Sequence, residues 1–209
     1  MRVLIADDHT IVRNGIRLIL ESGLDNVVCG EASNAQQVLA SVRDDQWDLL
    51  LLDITMPGRS GLDVLAEVRK ARPRLPVLVL SMHAEDQYGS RVLKAGASGY
   101  MTKESAPDEL LQAIQRILSG GRYVSQSMAE RLVMDLGRDS DRPPQEKLSS
   151  REFEVLRMIG AGKTVGQIAD DLYLSPATVS TYRTRLLEKL GVTSTAELMN
   201  FAIRNNLVG

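Results

Sequence analysis

Five residues of this chain combine chemical reactivity with a position at the end of an apolar run. Three are the carboxylates Asp7, Asp8 and Asp53, and the others are Ser81 and Lys103. An ionised aspartate can attack a phosphoryl donor and form an acyl phosphate. An ammonium group supplies a point charge for phosphoryl oxygens, and a hydroxyl can donate a hydrogen bond to them. These residue types together indicate a phosphorylation site.

Three carboxylates held a few ångströms apart would repel one another. Two unit charges 4 Å apart interact by about 4 kcal/mol at an effective dielectric constant near 20. Protons or a cation must relieve that repulsion, and an all-oxygen ligand set favours Mg²⁺. The sequence therefore predicts a Mg²⁺ site with Asp53 as the nucleophile.

Each of these residues also has a structural explanation. An aspartate at the end of a strand is more often a helix cap or a turn former, and Asp7 with Asp8 could simply cap the helix that follows. A single such residue would therefore carry no functional argument. Five of them at the strand ends of one alternating series are hard to obtain by chance.

Alternating apolar and amphipathic segments supply the elements that position these residues. Five β–α units with right-handed crossovers form a doubly wound five-stranded parallel sheet, an α/β fold that binds ligands beyond the carboxyl ends of its strands. Leu49 to Leu52 and Val77 to Leu80 are apolar at successive positions, as in strands covered on both faces. The strands are predicted at 2–7, 27–32, 48–53, 76–81 and 98–102, and the helices at 10–21, 34–43, 61–71, 85–95 and 107–119.

A polar, proline-bearing stretch separates this region from a second one. We place domain boundaries at 1–122, 123–147 for the linker, and 148–209. The last region contains four helices with their own start signals. Ser175-Pro176 starts one of these helices. In the first region, Ser105 is the predicted cap of the fifth helix. Three capping boxes are predicted, in Ser149 with Glu152, Thr164 with Gln167, and Ser194 with Glu197.

Residues 165–179 have the spacing of a helix–turn–helix, and the following helix, 176–190, turns polar side chains outward. Such a helix fits the DNA major groove, with basic residues on phosphates and hydroxyls on bases. The alternative is a solvated helix in a protein-binding bundle, which spacing alone does not distinguish. The candidate DNA contacts are Thr178, Ser180, Thr181, Tyr182, Arg183, Thr184, Arg185 and Lys189.

Composition limits the possible partners and compartments. The net charge of −2 gives no global attraction to nucleic acid, and 4% aromatic residues argue against a stacking platform for single-stranded RNA. The only cysteine, Cys29, cannot form an internal disulfide and is predicted to be a core thiol. The chain shows no signal peptide and no apolar run near the roughly 20 residues of a membrane helix. We expect a cytoplasmic protein without membrane contact.

The first region resembles the receiver domain of two-component response regulators, a flavodoxin-like fold with strand order 2-1-3-4-5. The residues that carry the resemblance are Asp7-Asp8, Asp53 with Met56-Pro57-Gly58, Ser81 and Lys103. The resemblance implies that Asp53 is the phosphoacceptor. It also implies that Asp8, Asp53 and the backbone carbonyl of Thr55 hold Mg²⁺, with Asp7 acting through water.

The same resemblance makes Ser81 and Tyr100 a switch pair, in which the hydroxyl moves toward the phosphoryl group and the ring turns inward. Tyr100 as an ordinary core or surface aromatic remains an alternative. Lys103 is followed by Glu104 where many receivers have proline, which leaves the local backbone geometry open. His9 and His83 flank the site, and neither is assigned a catalytic role.

The last region resembles the LuxR-type DNA-binding domain, and the combination identifies the chain as similar to the NarL/FixJ family. The matching motifs are 148–156, Ile168-Ala169, Leu174-Ser175, Thr178-Val179 and 189–192. Residues 180–183 are similar to those of the GacA/UvrY-like branch, although Tyr182 stands where many members carry histidine. The resemblance implies a cognate histidine kinase, double-stranded DNA and a homodimer when phosphorylated.

Two other function classes are weaker. A Mg²⁺-dependent phosphatase with an aspartyl nucleophile needs a second aspartate two residues on, and position 55 is threonine. A signalling adaptor would use the helical region to bind protein or RNA. We therefore expect a transcription regulator and not a dedicated enzyme, although it accepts a phosphoryl group and slowly dephosphorylates itself.

Overall fold

The computed structural model describes residues 1–56, 59–82, 85–126, 128–130 and 144–208. The chain divides into two compact units, Met1–Leu132 and Val133–Gly209. Pro57 and Gly58 of the receiver-like motif lie outside the described residues, as do His83 and residues 127 and 131–143 of the predicted linker. In the part of the chain that is described, no helix is long and apolar enough to cross a membrane.

The first unit is a five-stranded parallel sheet in the order β2-β1-β3-β4-β5, as predicted. Every residue of β3 and β4 is buried, which explains why both read as uninterrupted apolar runs. The elements are β1 Arg2–Ala6, α1 Thr10–Gly23, β2 Val28–Ala32, α2 Ala35–Asp44, β3 Leu49–Asp53, α3 Gly61–Ala71, β4 Val77–Ser81, α4 Glu85–Lys94, β5 Gly99–Thr102 and α5 Pro107–Leu118.

The strand register brings the reactive residues to one edge of the sheet. Asp53, the last residue of β3, pairs with Leu80, and Ser81, the last residue of β4, pairs with Thr102. Lys103 follows directly, and its amide donates to the Ser81 carbonyl at 2.8 Å. The carboxyl ends of the strands therefore meet where the sequence predicted a site.

The start of α5 differs from the prediction. Ala106, not Ser105, occupies its N-cap position. The Ser105 hydroxyl instead lies 3.3 Å from the Thr102 hydroxyl. The start signal is instead Pro107 at the first helical position, together with acidic residues in the first turn. The proline nitrogen carries no hydrogen and so needs no acceptor.

The first unit continues past the predicted boundary at 122. Tyr123 extends the sheet at the β5 edge, since its amide donates to Ser98 at 3.0 Å and its carbonyl accepts from Tyr100 at 3.2 Å. Met128 is buried. Residues 123–126 and 128–130, predicted as linker, therefore belong to the first unit.

The described part of the second unit, residues 144–208, contains helices and no strand. A 3-10 helix, Pro144–Lys147, precedes α6 Ser150–Gly160, α7 Val165–Leu172, α8 Pro176–Leu190 and α9 Thr195–Arg204. Its core is formed by apolar side chains from each of these four α-helices, including Phe153, Leu156, Ile168, Val179, Leu186 and Leu198. Tyr173 ends α7 with a left-handed backbone, φ 54°.

The predicted capping boxes of Ser149 and Thr164 are both present. The third is only half formed. The Ser194 hydroxyl accepts from the Glu197 amide at 3.2 Å, but the Glu197 carboxylate accepts from the amide of Thr193, one residue earlier than predicted, at 2.7 Å.

Candidate functional site

An acidic pocket lies at the carboxyl edge of the sheet. Asp7, Asp8 and His9 follow β1, Asp53 ends β3, and each offers a ligand atom within 4.8 Å of the others. Asp7 and Asp53 are only 1% and 2% exposed. The structure thus brings together the three carboxylates that the sequence singled out, and buries two of them.

Lys103 reaches into this pocket. Its Nζ lies 2.6 Å from Asp7 Oδ2 and 2.7 Å from Asp53 Oδ2. The hydrogen bond of its amide to the Ser81 carbonyl continues the β4–β5 pairing, so Glu104 in place of proline does not divert the lysine from the pocket. The ammonium bridges the ends of β1 and β3 from the end of β5.

Burial and ion pairing oppose each other in the pocket. Desolvation by burial raises the pKa of Asp53 above its ordinary value and outweighs the opposing effect of Lys103. Burial works to lower the pKa of Lys103, but its two carboxylate partners together raise it. The lysine therefore stays charged, and the carboxylates are still only partly compensated.

The oxygen atoms of the pocket fit a hard cation. Among the described residues, buried Asp7 Oδ2 has only its ion pair with Lys103, and buried Asp8 Oδ1 has only the His9 ring nitrogen, 3.0 Å away. Neither atom has a hydrogen bond of normal geometry. The pocket thus has more carboxylate oxygens than hydrogen-bond donors to satisfy them. Such oxygens suit Mg²⁺, which prefers carboxylates and water as ligands.

The remaining predicted pocket residues surround these groups. The Thr55 amide donates to Asp53 Oδ1 at 2.9 Å. Ser81 is fully buried at the end of β4, and Tyr100 on β5 is 1% exposed, so its side chain lies inside the unit. The His9 ring lies at the rim of the pocket and is mostly exposed.

The predicted DNA contacts lie on α8. Thr181, Thr184, Arg185 and Lys189 are exposed, and Thr178, Ser180, Tyr182 and Arg183 are half-buried. The hydroxyls of Thr181 and Thr184 donate to the carbonyls of Ala177 and Ser180 one turn earlier, at 3.0 and 3.1 Å. Their methyl groups and oxygen lone pairs are what remain for a partner.

Lys189 has a partner that the sequence did not reveal. Its Nζ lies 2.7 Å from Oε2 of Glu152, a buried residue that also accepts from the Ser149 amide at 2.7 Å. Burial works to raise the pKa of Glu152, but these hydrogen bonds outweigh it and hold the pKa below its ordinary value. Since the two residues are 37 positions apart, no local pattern could have paired them.

Comparison with known families agrees with both halves of this geometry. The model of the response regulator receiver domain matches residues 3–115, and that of the bacterial regulatory proteins of the luxR family matches 146–202. The chain belongs to the NarL/FixJ family of two-component response regulators.

Two response regulators resemble this family member over their full length. UvrY of Escherichia coli (strain K12) is 36% identical over 208 residues, which cover 99% of this chain and 95% of the relative. GacA of Pseudomonas aeruginosa is 37% identical over 209 residues, 100% of this chain and 98% of the relative. Both support the branch of the family that residues 180–183 indicated.

Solved structures of the RcsB response regulator of Salmonella typhimurium share the fold. One has a TM-score of 0.68 at 30% identity and covers 96% of each chain. Another, RcsB bound to promoter rprA in the presence of phosphomimetic BeF₃⁻, has a TM-score of 0.64 at 30% identity and covers 96% of this chain and 97% of RcsB. These neighbours confirm the predicted fold class.

Proposed function

We propose that this response regulator is a transcription factor whose DNA binding is controlled by phosphorylation of Asp53. The observation that carries the proposal is the position of Lys103, whose Nζ lies 2.7 Å from the Asp53 carboxylate inside a cluster of two further aspartates. A buried carboxylate with a fixed ammonium beside it is arranged for a phosphoryl group. The donor is a cognate histidine kinase or a small acyl phosphate.

In the transfer step, an Asp53 carboxylate oxygen forms a bond to phosphorus. The bond from phosphorus to the donor breaks with its electron pair going to the donor, which leaves as acetate or, from a phosphohistidine protonated on its other ring nitrogen, as a neutral imidazole. Lys103 pairs with the phosphoryl oxygens, and the Ser81 hydroxyl donates to one of them. Asp8, Asp53 and the Thr55 carbonyl would hold Mg²⁺, with Asp7 acting through water, and the ion would supply positive charge for the transferred group.

Simple charge repulsion does not explain the response. Phosphorylation adds up to about two negative charges to a pocket that already holds three carboxylates. The compensating charge would come from Lys103 and a bound cation, so the response runs through a movement of Lys103. Since Lys103 follows β5 and is bonded to the end of β4, its movement biases the surface around these two strands, with Ser81 and Tyr100 as the switch pair.

The segment after α5 is attached to that surface. Both the amide and the hydroxyl of Ser125 donate to the Glu85 carboxylate at the start of α4. Met128 packs so closely on Gly89 of α4 that a Cβ at that glycine would clash with its sulfur. We infer that this segment follows the state of α4 and β5 and passes it toward the second unit.

In the second unit, α8 is the helix that we place in the major groove. The RcsB neighbours include one solved bound to DNA and one solved as two dimers on two parallel DNAs. By analogy, the phosphorylated chain forms a homodimer, and its two α8 helices meet half-sites of double-stranded DNA about one helical turn apart.

The pocket does not favour a dedicated enzyme. Position 55, where an aspartyl phosphatase needs its second aspartate, is an exposed threonine. Self-dephosphorylation of Asp53 by water is therefore expected to be slow, without turnover of a separate substrate.

The decisive experiment is capture of genomic DNA fragments, followed by footprinting, with and without acetyl phosphate and Mg²⁺. Phosphorylation should increase protection of discrete sites, and Asp53→Asn should show no response to the donor. Equal protection in both conditions would overturn the control by phosphate, and an absence of protection in both would overturn DNA binding.

A further inference from the structure

The inner face of α1 carries a charged residue among apolar ones. The buried residues of this helix are Arg13, Ile16 and Leu20. Arg13 is 9% exposed, although a guanidinium remains charged under all ordinary conditions. A charge at such a position is retained only where its hydrogen bonds are satisfied.

The Arg13 guanidinium joins three parts of the first unit. Its Nη1 donates to the Asp7 carbonyl at 2.8 Å, and its Nε donates to Glu31 Oε2 on β2 at 2.8 Å. Its Nη2 donates to the Thr10 hydroxyl at the start of α1 at 3.2 Å. The planar fork of arginine satisfies these directions at once, which an ammonium group does not.

The bond to Asp7 bears on the acidic pocket because that carbonyl belongs to the peptide group between Asp7 and Asp8. A planar peptide fixes both α-carbons relative to that carbonyl, so a bond that holds the carbonyl restrains the backbone torsions that set the directions of both side chains. The other groups of Asp7 are already held, since its amide donates to Ala32 at 3.0 Å and its Oδ1 accepts from the His9 amide at 2.9 Å.

Asp8 has no comparable support of its own. Its side chain is 27% exposed, and the contact that the described residues give its carboxylate is the His9 ring, which is itself mostly exposed. The direction of this carboxylate therefore depends on the peptide group that Arg13 holds.

We propose that Arg13 is a positioning residue for the cation site: it holds the Asp7–Asp8 peptide group so that the Asp8 carboxylate faces the pocket, and Glu31 orients the guanidinium. The inference rests on the proposed Mg²⁺ site. Groups that orient metal ligands without touching the metal typically change metal affinity by about 10- to 100-fold when removed.

Arg17 provides a matched control. It also pairs with Glu31, and it carries the same charge on the same helix. No contact links it to Asp7 among the described residues. Arg13→Met and Arg17→Met therefore remove the same charge and the same kind of ion pair, but only Arg13→Met releases the carbonyl in the pocket.

The sign of the effect distinguishes positioning from electrostatics. A nearby positive charge repels a cation, so its removal alone should tighten Mg²⁺ binding. Loss of positioning should weaken it. Mg²⁺ dissociation constants of the full chain, measured by calorimetric titration well below the unfolding temperature, should rise about tenfold or more for Arg13→Met. They should stay the same or fall for Arg17→Met.

A second variant covers the case in which Arg13→Met does not fold. Arg13→Lys keeps the positive charge, so electrostatics alone predicts an unchanged Mg²⁺ affinity, but an ammonium group cannot satisfy Asp7, Glu31 and Thr10 at once, so loss of positioning should weaken Mg²⁺ binding by a smaller factor. Unchanged affinity in Arg13→Met, or in Arg13→Lys if that is the variant that folds, would overturn the role of Arg13. Equal weakening in Arg17→Met would overturn it too. If the wild-type chain itself binds no Mg²⁺, the proposed cation site fails together with this inference.

Discussion

The acidic pocket and the outer face of α8 are both rich in polar side chains, but those side chains are held in opposite ways. In the pocket, Asp7 and Asp53 are buried, and both pair with Lys103, whose side chain is 8% exposed and comes from the end of another strand. On α8, Thr181 and Thr184 are exposed and bond to their own helix.

This difference follows from what each region has to do. Charges act strongly where water is excluded, so a reacting carboxylate must be fixed before the donor arrives. A surface that reads DNA takes its final geometry from the partner, and side chains that remain free in solution serve it well. We therefore expect the chemistry of the pocket to be sensitive to the replacement of a single atom. DNA binding by α8 should instead depend on the charge and length of its side chains.

The largest expected effect is that of Asp53→Asn. The amide oxygen is a poor nucleophile, so phosphate incorporation from acetyl phosphate should be abolished. The fold should persist because the amide is isosteric and removes a carboxylate whose pKa burial already raises. Phosphate labelling and circular dichroism would check both points. Retained labelling would place the acceptor elsewhere.

Lys103→Met tests how firmly the pocket depends on its ammonium. Two buried carboxylates would lose their fixed counter-charge, and breaking such a buried pair costs about 3 kcal/mol of unfolding free energy. Mg²⁺ should restore part of the lost unfolding free energy and bind more tightly, since the competing ammonium is gone. Urea unfolding with and without Mg²⁺ would measure the change in unfolding free energy.

Lys163→Met is the matched control for that variant. Lys163 pairs with Asp171, and both side chains are 43% exposed. Loss of this surface pair should change the unfolding free energy by less than about 1 kcal/mol, with no dependence on Mg²⁺. Equal losses in the two variants would contradict the contrast between buried and exposed charges.

The sequence could predict the pocket because topology brings its residues together. Uninterrupted apolar runs in β3 and β4 mark where the strands end, and parallel strands end at the same edge. The support from Arg13 could not be predicted, since Arg13 is on α1 and its partner Glu31 lies 18 residues away on β2. Tyr123 was missed for a related reason: its attachment to β5 is a single bridge without apolar periodicity.

The contacts of α8 were predicted only as a set, because an exposed side chain bears no local mark of its partner. The structure already separates two of them. The Nε of Arg183 is buried without a hydrogen-bond partner in the described part of the chain, whereas Lys189 is bonded to Glu152.

Arg183→Ala should weaken DNA binding on all sequences alike, because we place its guanidinium on a phosphate and not on a base. It should lower the slope of log K against log salt concentration by about 0.9, as expected for one lost phosphate contact. Lys189→Met should change that slope less, because its ammonium is already engaged. A gel-shift salt series on a specific and a random fragment measures both. A loss confined to one operator would make Arg183 a base reader.

A smaller loss of stability than that of Lys103→Met is expected from Glu152→Gln, and it would show that α8 also depends on a fixed charge. Hydrogen bonds from Lys189 and the Ser149 amide hold the pKa of Glu152 below its unfolded value of 4.5. A carboxylate with a lowered pKa stabilises the fold above that value, and the contribution disappears as the pH falls below it. Glu152→Gln should thus lower the unfolding free energy by about 1.5 kcal/mol at neutral pH, and by progressively less below about pH 4.5. Urea unfolding followed by circular dichroism at several pH values would test this. A difference that does not depend on pH would show that the Glu152–Lys189 pair contributes through packing alone. Fixed charges would then matter in the acidic pocket and not at α8.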